Sequence, residues 1–194
     1  MDDSAALAAA LLGGDGSAQG RIVLVCDNSG MELVCDLLLC RWLLHNKLAA
    51  HVELIVKPCP FYVSDATCDD VRLTLSTLSA DEHPALARLG SDLVALSTAQ
   101  RLSVRAEAFW SSPLAGWEMP CEERRRLETA QLVIVKGDLQ YLFRPTYSAS
   151  LSLSLPLSLS LSLSLSLSLS LSCTIENIFH RKGTHSMARE HILS

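Results

Sequence analysis

Short apolar runs alternate with stretches of helical periodicity over the first two thirds of the chain. A continuous β-branched and apolar run of strand length occurs at 21–26, and further strands are predicted at 51–56, at 102–108, where the alternation is weaker, and at 132–135. Helices are predicted between them, at 31–46, 69–78, 84–100 and 121–130. Strands that alternate with helices predict an α/β fold, with a mostly parallel, Rossmann-like sheet in a three-layer α/β/α arrangement.

Polar side chains are concentrated where the first strand meets the first helix. Asp27 and Asn28 follow the apolar run directly, and Ser29-x-x-Glu32 has the form of a capping box. The helix that follows is marked by apolar residues at helical spacing: Met31, Val34, Cys35, Leu38, Leu39 and Trp42. A strand that stops on an acid and an amide, then turns into a helix, is typical of metal and phosphate sites in open α/β sheets.

The other predicted strands also end on polar residues. The second strand leads through a proline-containing loop to Asp65, and the fourth ends at Lys136 and Asp138. In a parallel sheet the C-terminal strand ends lie along one edge, which is where ligands bind in such folds. Asp27, Asp65, Lys136 and Asp138 are therefore predicted to converge.

Each of these side chains also has a purely structural interpretation. Asp27 and Asn28 offer hard oxygen donors that suit Mg²⁺ or Mn²⁺ rather than zinc, but Asp and Asn are equally favoured as helix caps. A capping box accounts for Glu32, and a strand-to-loop turn accounts for Lys136 and Asp138. In a site, Lys136 would neutralise phosphate oxygens, and Asp138 would accept sugar hydroxyls or move a proton.

The stretch 109–120 carries two tryptophans and two prolines without periodicity and is predicted to be a loop. Loops on a rigid scaffold often carry function. Trp110 and Trp117 either wall the site or pack against the sheet, and the sequence does not decide between the two.

Charge and cysteine content narrow the class of protein. The 194 residues carry a formal net charge of -5, which does not predict nucleic-acid binding. The seven cysteines contain no CxxC pair, so a reduced protein without a thiolate zinc site is expected. Residues 1–20 lack a basic n-region and predict a short lead-in rather than a signal peptide. A cytoplasmic or nuclear location is expected.

The end of the chain has a different composition. Leucine and serine alternate from 151 to 172, broken only by Pro156. A CT dinucleotide repeat in DNA encodes Leu-Ser, so we interpret this segment as a translated microsatellite. It is half serine, which falls short of a membrane span. The predicted organisation is a lead-in at 1–20, an α/β domain at 21–145 and a low-complexity tail at 146–194.

Four ordered blocks resemble the metal-dependent damage-control phosphatases. The resemblance is to their sugar phosphate phosphatase branch, also described as acidic-residue (protein-glutamate) methyltransferases. The blocks are 27–39 (DNSGMELVCDLLL), 57–67 (KPCPFYVSDAT), 109–120 (FWSSPLAGWEMP) and 136–141 (KGDLQY). They span about three-fifths of the chain.

The resemblance implies a specific chemistry. It implies an α/β/α fold, a Mn²⁺ cofactor (or Mg²⁺, Ni²⁺ or Co²⁺), and a small phosphorylated metabolite such as fructose 1-phosphate or fructose 6-phosphate as substrate in metabolite damage control. It implies metal ligands at Asp27, Asn28 and Asp65, and Asp27 and Asp138 are the expected catalytic residues. The expected substrate contacts are Asp27, Asn28, Glu32, Lys136, Asp138, Leu139, Gln140 and Tyr141.

The chain also departs from the family pattern. Gln140 stands where the family usually has asparagine, and Leu142 where it has arginine, which removes a bidentate phosphate donor. The family's helical region before the first strand, and its further sheet with a substrate-binding lysine, are not evident. The chain is therefore interpreted as a truncated member, with an incomplete sheet.

Two other functions stay open. An S-adenosylmethionine-dependent protein-glutamate O-methyltransferase would want a glycine-rich loop after the first strand, where only Gly30 stands. A non-catalytic truncated product would aggregate through its sheet edge and its Leu-Ser tail. Nucleic-acid partners and a membrane span are not expected.

Overall fold

The computed structural model describes residues 20–137, which form a parallel sheet with helices packed on it. The strands are β1 (Arg21–Val25), β2 (His51–Val56), β3 (Leu102–Ala106) and β4 (Leu132–Val135). The helices are α1 (Met31–His45), α2 (Cys68–Ser79), α3 (Pro84–Thr98) and α4 (Cys121–Glu128). The predicted α/β class with a parallel sheet is thus confirmed.

The strand order across the sheet is β3-β2-β1-β4. β1 pairs in parallel with both β2 and β4, and β2 pairs in parallel with β3. Because the order runs outward from β1 in both directions, the carboxyl ends of β1 and β4 flank a topological switch point. Right-handed crossovers then place α1, α2 and α3 on one face of the sheet and α4 on the other.

Most element boundaries agree with the prediction to within a residue or two, as expected for fraying ends. The largest differences lie at the third strand, the third helix and the fourth helix, each of which ends two residues early. The third strand stops at Ala106 because residues Ala108–Ser111 form a 3₁₀ turn. The Glu107 carboxylate accepts a hydrogen bond from the Phe109 N–H of that turn.

Helix α1 buries a different face from the one marked by the apolar spacing. Met31 and Trp42, at the two ends of the predicted stripe, are 50% and 47% exposed. The buried row is Leu33, Asp36, Leu37, Cys40, Leu43 and Leu44. The helix is apolar on nearly every side, so periodicity alone cannot select the face that packs. One consequence is that an acid, Asp36, lies in the core-facing row.

The two tryptophans of the 109–120 loop have different environments. Trp110 is buried and meets Phe109 edge-on, with ring centroids 5.3 Å apart. Both rings pack in one core cluster with Val23 and other sheet residues, so Trp110 supports the sheet. Trp117 is exposed.

Several predictions fall outside the described residues. These are the tail at 146–194, nearly all of the lead-in at 1–20, and the site residues Asp138, Leu139, Gln140 and Tyr141. Within residues 20–137, no helix has the length and apolar character needed to cross a bilayer.

Candidate functional site

A short segment, residues 64–67, is held over the ends of β1 and β2 by main-chain hydrogen bonds. The Ala66 N–H donates to the Asp27 carbonyl (2.8 Å), and the Ser29 N–H donates to the Ser64 carbonyl (2.7 Å). The Lys57 N–H donates to the Ala66 carbonyl (3.0 Å). These bonds set Asp65 opposite Asn28, and the two residues form a bridge between the strand ends.

The carboxylates of Asp27 and Asp65 converge on one buried ammonium group. Lys57 Nζ lies 2.5 Å from Asp65 Oδ1 and 3.3 Å from Asp27 Oδ1. The Lys57 side chain is 1% exposed. Lys57 is absent from the site residues that the sequence predicts, and the available signal was a lysine placed directly after an apolar strand and before a proline.

Asp65 is held by both of its oxygens. Its Oδ2 accepts hydrogen bonds from the N–H groups of Phe61 (2.8 Å) and Tyr62 (2.7 Å), while Oδ1 faces Lys57. Burial pushes the pKa of Asp65 upward, but the hydrogen bonds from Lys57 and Tyr62 outweigh it and hold the pKa below its ordinary value. The side chain is therefore a fixed, ionised oxygen donor.

Asn28 links the carboxylates of Asp27 and Glu32. Its Nδ2 donates to Asp27 Oδ2 (3.0 Å) and to Glu32 Oε2 (2.9 Å), and its Oδ1 accepts from Ser64 Oγ (2.7 Å). Rotating the Asn28 amide by half a turn would place Oδ1 where Nδ2 now lies, facing Asp27 and Glu32. Burial raises the pKa of Asp27, Lys57 opposes this, and Glu32 adds to it.

The capping-box interpretation of Glu32 is wrong. Helix α1 begins at Met31 with Gly30 as its N-cap, at φ 70°, and no side chain caps it. Glu32 instead lies 2.6 Å from Lys136 Nζ and accepts from Asn28. The Ser29 N–H is already bonded to the Ser64 carbonyl, so it is not open to a phosphate.

Lys136, at the end of β4, is held by two acids of α1. Its Nζ lies 2.8 and 2.9 Å from the two oxygens of Asp36, in addition to its contact with Glu32. Burial lowers the pKa of Lys136, but Asp36 and Glu32 outweigh it and raise the pKa overall. Burial raises the pKa of Asp36 to about 6, although Lys136 opposes the shift. The sequence signal for Asp36 was an acid inside an apolar helix.

Gly137 brings the end of β4 against the Asp27 carboxylate. Its φ is 96°, in the region that favours glycine. A Cβ at this position would lie 2.6 Å from Asp27 Cγ, which is closer than two carbons can approach. The Lys-Gly turn after β4 therefore leaves room for the carboxylate of Asp27, which follows β1.

The charges of this site do not balance. Four carboxylates, those of Asp27, Glu32, Asp36 and Asp65, face the two ammonium groups of Lys57 and Lys136, which leaves a formal charge of -2. A divalent cation would neutralise that excess, and carboxylate and amide oxygens are ligands that Mg²⁺ and Mn²⁺ prefer. Among residues 20–137, no three His, Cys, Asp or Glu side chains gather as a metal cluster. The donor set that fits is therefore two carboxylates with the Asn28 amide.

Comparison with known proteins identifies the family. The sequence model of the Damage-control phosphatase ARMT1-like domain matches residues 1–143. The chain belongs to this family, which confirms the resemblance carried by the four sequence blocks.

The chain is similar to proteins named Damage-control phosphatase ARMT1. The Homo sapiens and Macaca fascicularis proteins are each 32% identical to this chain over 124 residues, which is 62% of the chain. The Danio rerio protein is 29% identical over 149 residues, or 73% of the chain. The matched part is 28% of the human protein and 33% of the zebrafish protein, so the chain spans about a third or less of these relatives.

Proposed function

We propose that this site is the metal-binding part of a phosphatase that hydrolyses small sugar phosphates of the fructose 1-phosphate and fructose 6-phosphate type. The observation that carries the proposal is the convergence of Asp27, Asn28 and Asp65 beside a switch point, in a cluster with an excess charge of -2. The phosphatase name of the family and of the similar proteins supports the reaction class. The sugar phosphate substrate rests on the sequence resemblance.

Asp27, Asn28 and Asp65 would hold Mn²⁺, or Mg²⁺, Ni²⁺ or Co²⁺. When bound, such an ion withdraws charge from a phosphoryl oxygen as the phosphorus–oxygen bond breaks. Asp65 is fixed by main-chain N–H groups, and the Asp27 carboxylate is held by hydrogen bonds from Asn28 and Lys57.

Lys136 would supply the second positive group at the phosphate. Glu32 and Asp36 hold its ammonium in place, so the charge is oriented before substrate arrives. Fixed charges of this kind stabilise a developing negative charge without a reorganisation cost at the moment of reaction. Glu32, with Asp138 and its neighbours Leu139, Gln140 and Tyr141, stays a predicted substrate contact.

The test is phosphate release from fructose 1-phosphate and fructose 6-phosphate by the 194-residue chain, in Mn²⁺ and in EDTA. Chelation should abolish release, and Asp27→Asn should lower it on the order of 10²-fold or more. Asp69→Asn is the matched control, because the Asp69 side chain is exposed on α2. Equal rates for the wild type and Asp27→Asn would reject the proposal.

The two alternatives have their own readouts. S-Adenosylmethionine in place of Mn²⁺ in a binding titration tests the methyltransferase. Thermal unfolding, monitored by circular dichroism, tests whether the chain is a non-catalytic product. Such a product should show no cooperative transition.

A further inference from the structure

Lys57 has an environment that a lysine side chain rarely occupies. Its side chain is 1% exposed, and its ammonium faces carboxylates from two separate segments, Asp27 after β1 and Asp65 in the 64–67 segment. Burying a charge is costly unless it is paired, and here the pairing is with the two residues placed to bind a metal. Packing alone does not explain a lysine at this position, since an apolar side chain would fill the same space with a lower desolvation penalty.

The position of the Lys57 ammonium group reduces electrostatic repulsion in the metal-free protein. The buried carboxylate of Asp65 and the partly buried carboxylate of Asp27, brought together by main-chain hydrogen bonds, repel each other when no cation lies between them. Lys57 directly follows β2, and its main-chain N–H donates to the Ala66 carbonyl. The backbone therefore places the ammonium group between Asp27 and Asp65.

We infer that Lys57 is a built-in counter-cation of the metal site, which holds Asp27 and Asp65 together before an ion binds and weakens the binding of that ion. The inference rests on the proposed metal site. It separates two effects of one side chain: stability without metal, and affinity for metal.

The direction of each effect follows from charge. Removing the ammonium changes the formal charge of the cluster from -2 to -3, because four carboxylates would then face Lys136 alone. A unit positive charge about 4 Å from a divalent ion lowers its affinity at least about tenfold, even at the dielectric constant of water. The metal-free protein should lose stability, because the buried Asp65 and the partly buried Asp27 lose their shared partner.

The experiment uses the whole chain and Mn²⁺ alone. The Mn²⁺ dissociation constant is measured by isothermal titration calorimetry, and melting temperatures are compared in EDTA and in Mn²⁺. Lys57→Met and Lys57→Gln remove the charge, and the glutamine variant keeps a hydrogen-bond donor for Asp65. Lys47→Met is the matched control, since Lys47 is exposed.

Both Lys57 variants should bind Mn²⁺ at least about tenfold more tightly than the wild type. Both should melt lower than the wild type in EDTA and gain more degrees from Mn²⁺. Lys47→Met should match the wild type in each respect. Folding of the Lys57 variants only in the presence of Mn²⁺ would support the same conclusion.

Other results would overturn the inference. Tight binding by the wild type, with unchanged or weaker binding by the Lys57 variants, rejects it while leaving the metal site in place. Unchanged melting in EDTA, or failure of both variants to fold even in Mn²⁺, also rejects it. If neither the wild type nor any variant binds Mn²⁺, the inference and the proposed function fail together.

Discussion

The ammonium of Lys136 and the carboxylate of Asp36, separated by 100 residues, are joined by hydrogen bonds of 2.8 and 2.9 Å. This pair ties the buried face of α1 to the end of β4. It joins the helix that follows the first strand to the strand beyond the switch point. The packing of one helix therefore determines where a positive group of the candidate site lies.

Lys136→Met should destabilise the protein, and more so at pH 8 than at pH 5. Asp36 is 4% exposed, and without Lys136 its charge would be buried far from a cation. We expect the free energy of unfolding to fall by about 3–5 kcal/mol at pH 8. The loss should shrink at pH 5, where Asp36 takes up a proton. Urea denaturation at both pH values measures this, with Lys47→Met as control; equal losses at the two pH values would contradict it.

Asp36 should make the protein more stable as the pH falls from about 6 to about 4. Its pKa is about 6 in the folded state, above the ordinary value of 3.8, so the folded state holds a proton there that the unfolded state releases. The gain is at most about 3 kcal/mol. The difference in the free energy of unfolding between the wild type and Asp36→Asn, measured by urea denaturation from pH 4 to pH 8, should show this gain, because the other acids titrate in both proteins. Asp92→Asn, which removes the acid paired with Arg41, should keep the wild-type slope.

Arg105→Met should destabilise the sheet face that α4 covers. The guanidinium of Arg105 donates to Glu53 (2.7 Å), Glu107 (2.8 Å) and Glu123 (2.9 Å), and Glu53 and Glu123 are buried. Removing the shared partner takes away the cation that Glu123 contacts and leaves Glu53 paired with Arg21, so we expect a loss of about 3–5 kcal/mol in the free energy of unfolding, mostly from Glu123.

The control for Arg105 is an arginine of an exposed pair. Arg72 bonds Asp69 on the surface of α2, and Arg72→Met should change the free energy of unfolding by no more than about 0.5 kcal/mol. Urea denaturation of both variants at neutral pH gives the comparison. A loss below about 1 kcal/mol for Arg105→Met would mean that the buried acids find other partners or protonate.

Gly137→Ala should impair both stability and metal binding, whereas Gly30→Ala should impair stability alone. Both glycines have positive φ, 96° and 70°, so each alanine should cost about 1–2 kcal/mol of backbone strain. Only at Gly137 does the added Cβ collide with the Asp27 carboxylate, since nothing lies within 4 Å of a Cβ at Gly30. Mn²⁺ titration calorimetry and thermal melting separate the two effects. Equal Mn²⁺ affinity in the two variants would contradict the role given to Gly137.

The candidate site was predictable where it depends on strand ends. Residues 51–56 and 132–135 are strands with the predicted boundaries, because apolar and β-branched residues predominate in both. Parallel strands put their carboxyl ends on one edge, and the 64–67 segment returns over that edge to bring Asp65 close to Asp27. Lys57 was not predictable in the same way, since a lysine after a strand is normally solvated.

The amino-acid sequence by itself determines the alternation of strands and helices, the family blocks and the oxygen donors at the carboxyl edge. Each of these depends on neighbouring residues along the chain, or on the parallel strand direction that alternating strands and helices imply. Only the tertiary structure decides which face of α1 is buried, and this brings Asp36 to Lys136. Only the tertiary structure places Lys57 between Asp27 and Asp65. The physical reason is that α1 is apolar on nearly every side and that the charge of a buried group is settled by partners distant in the chain.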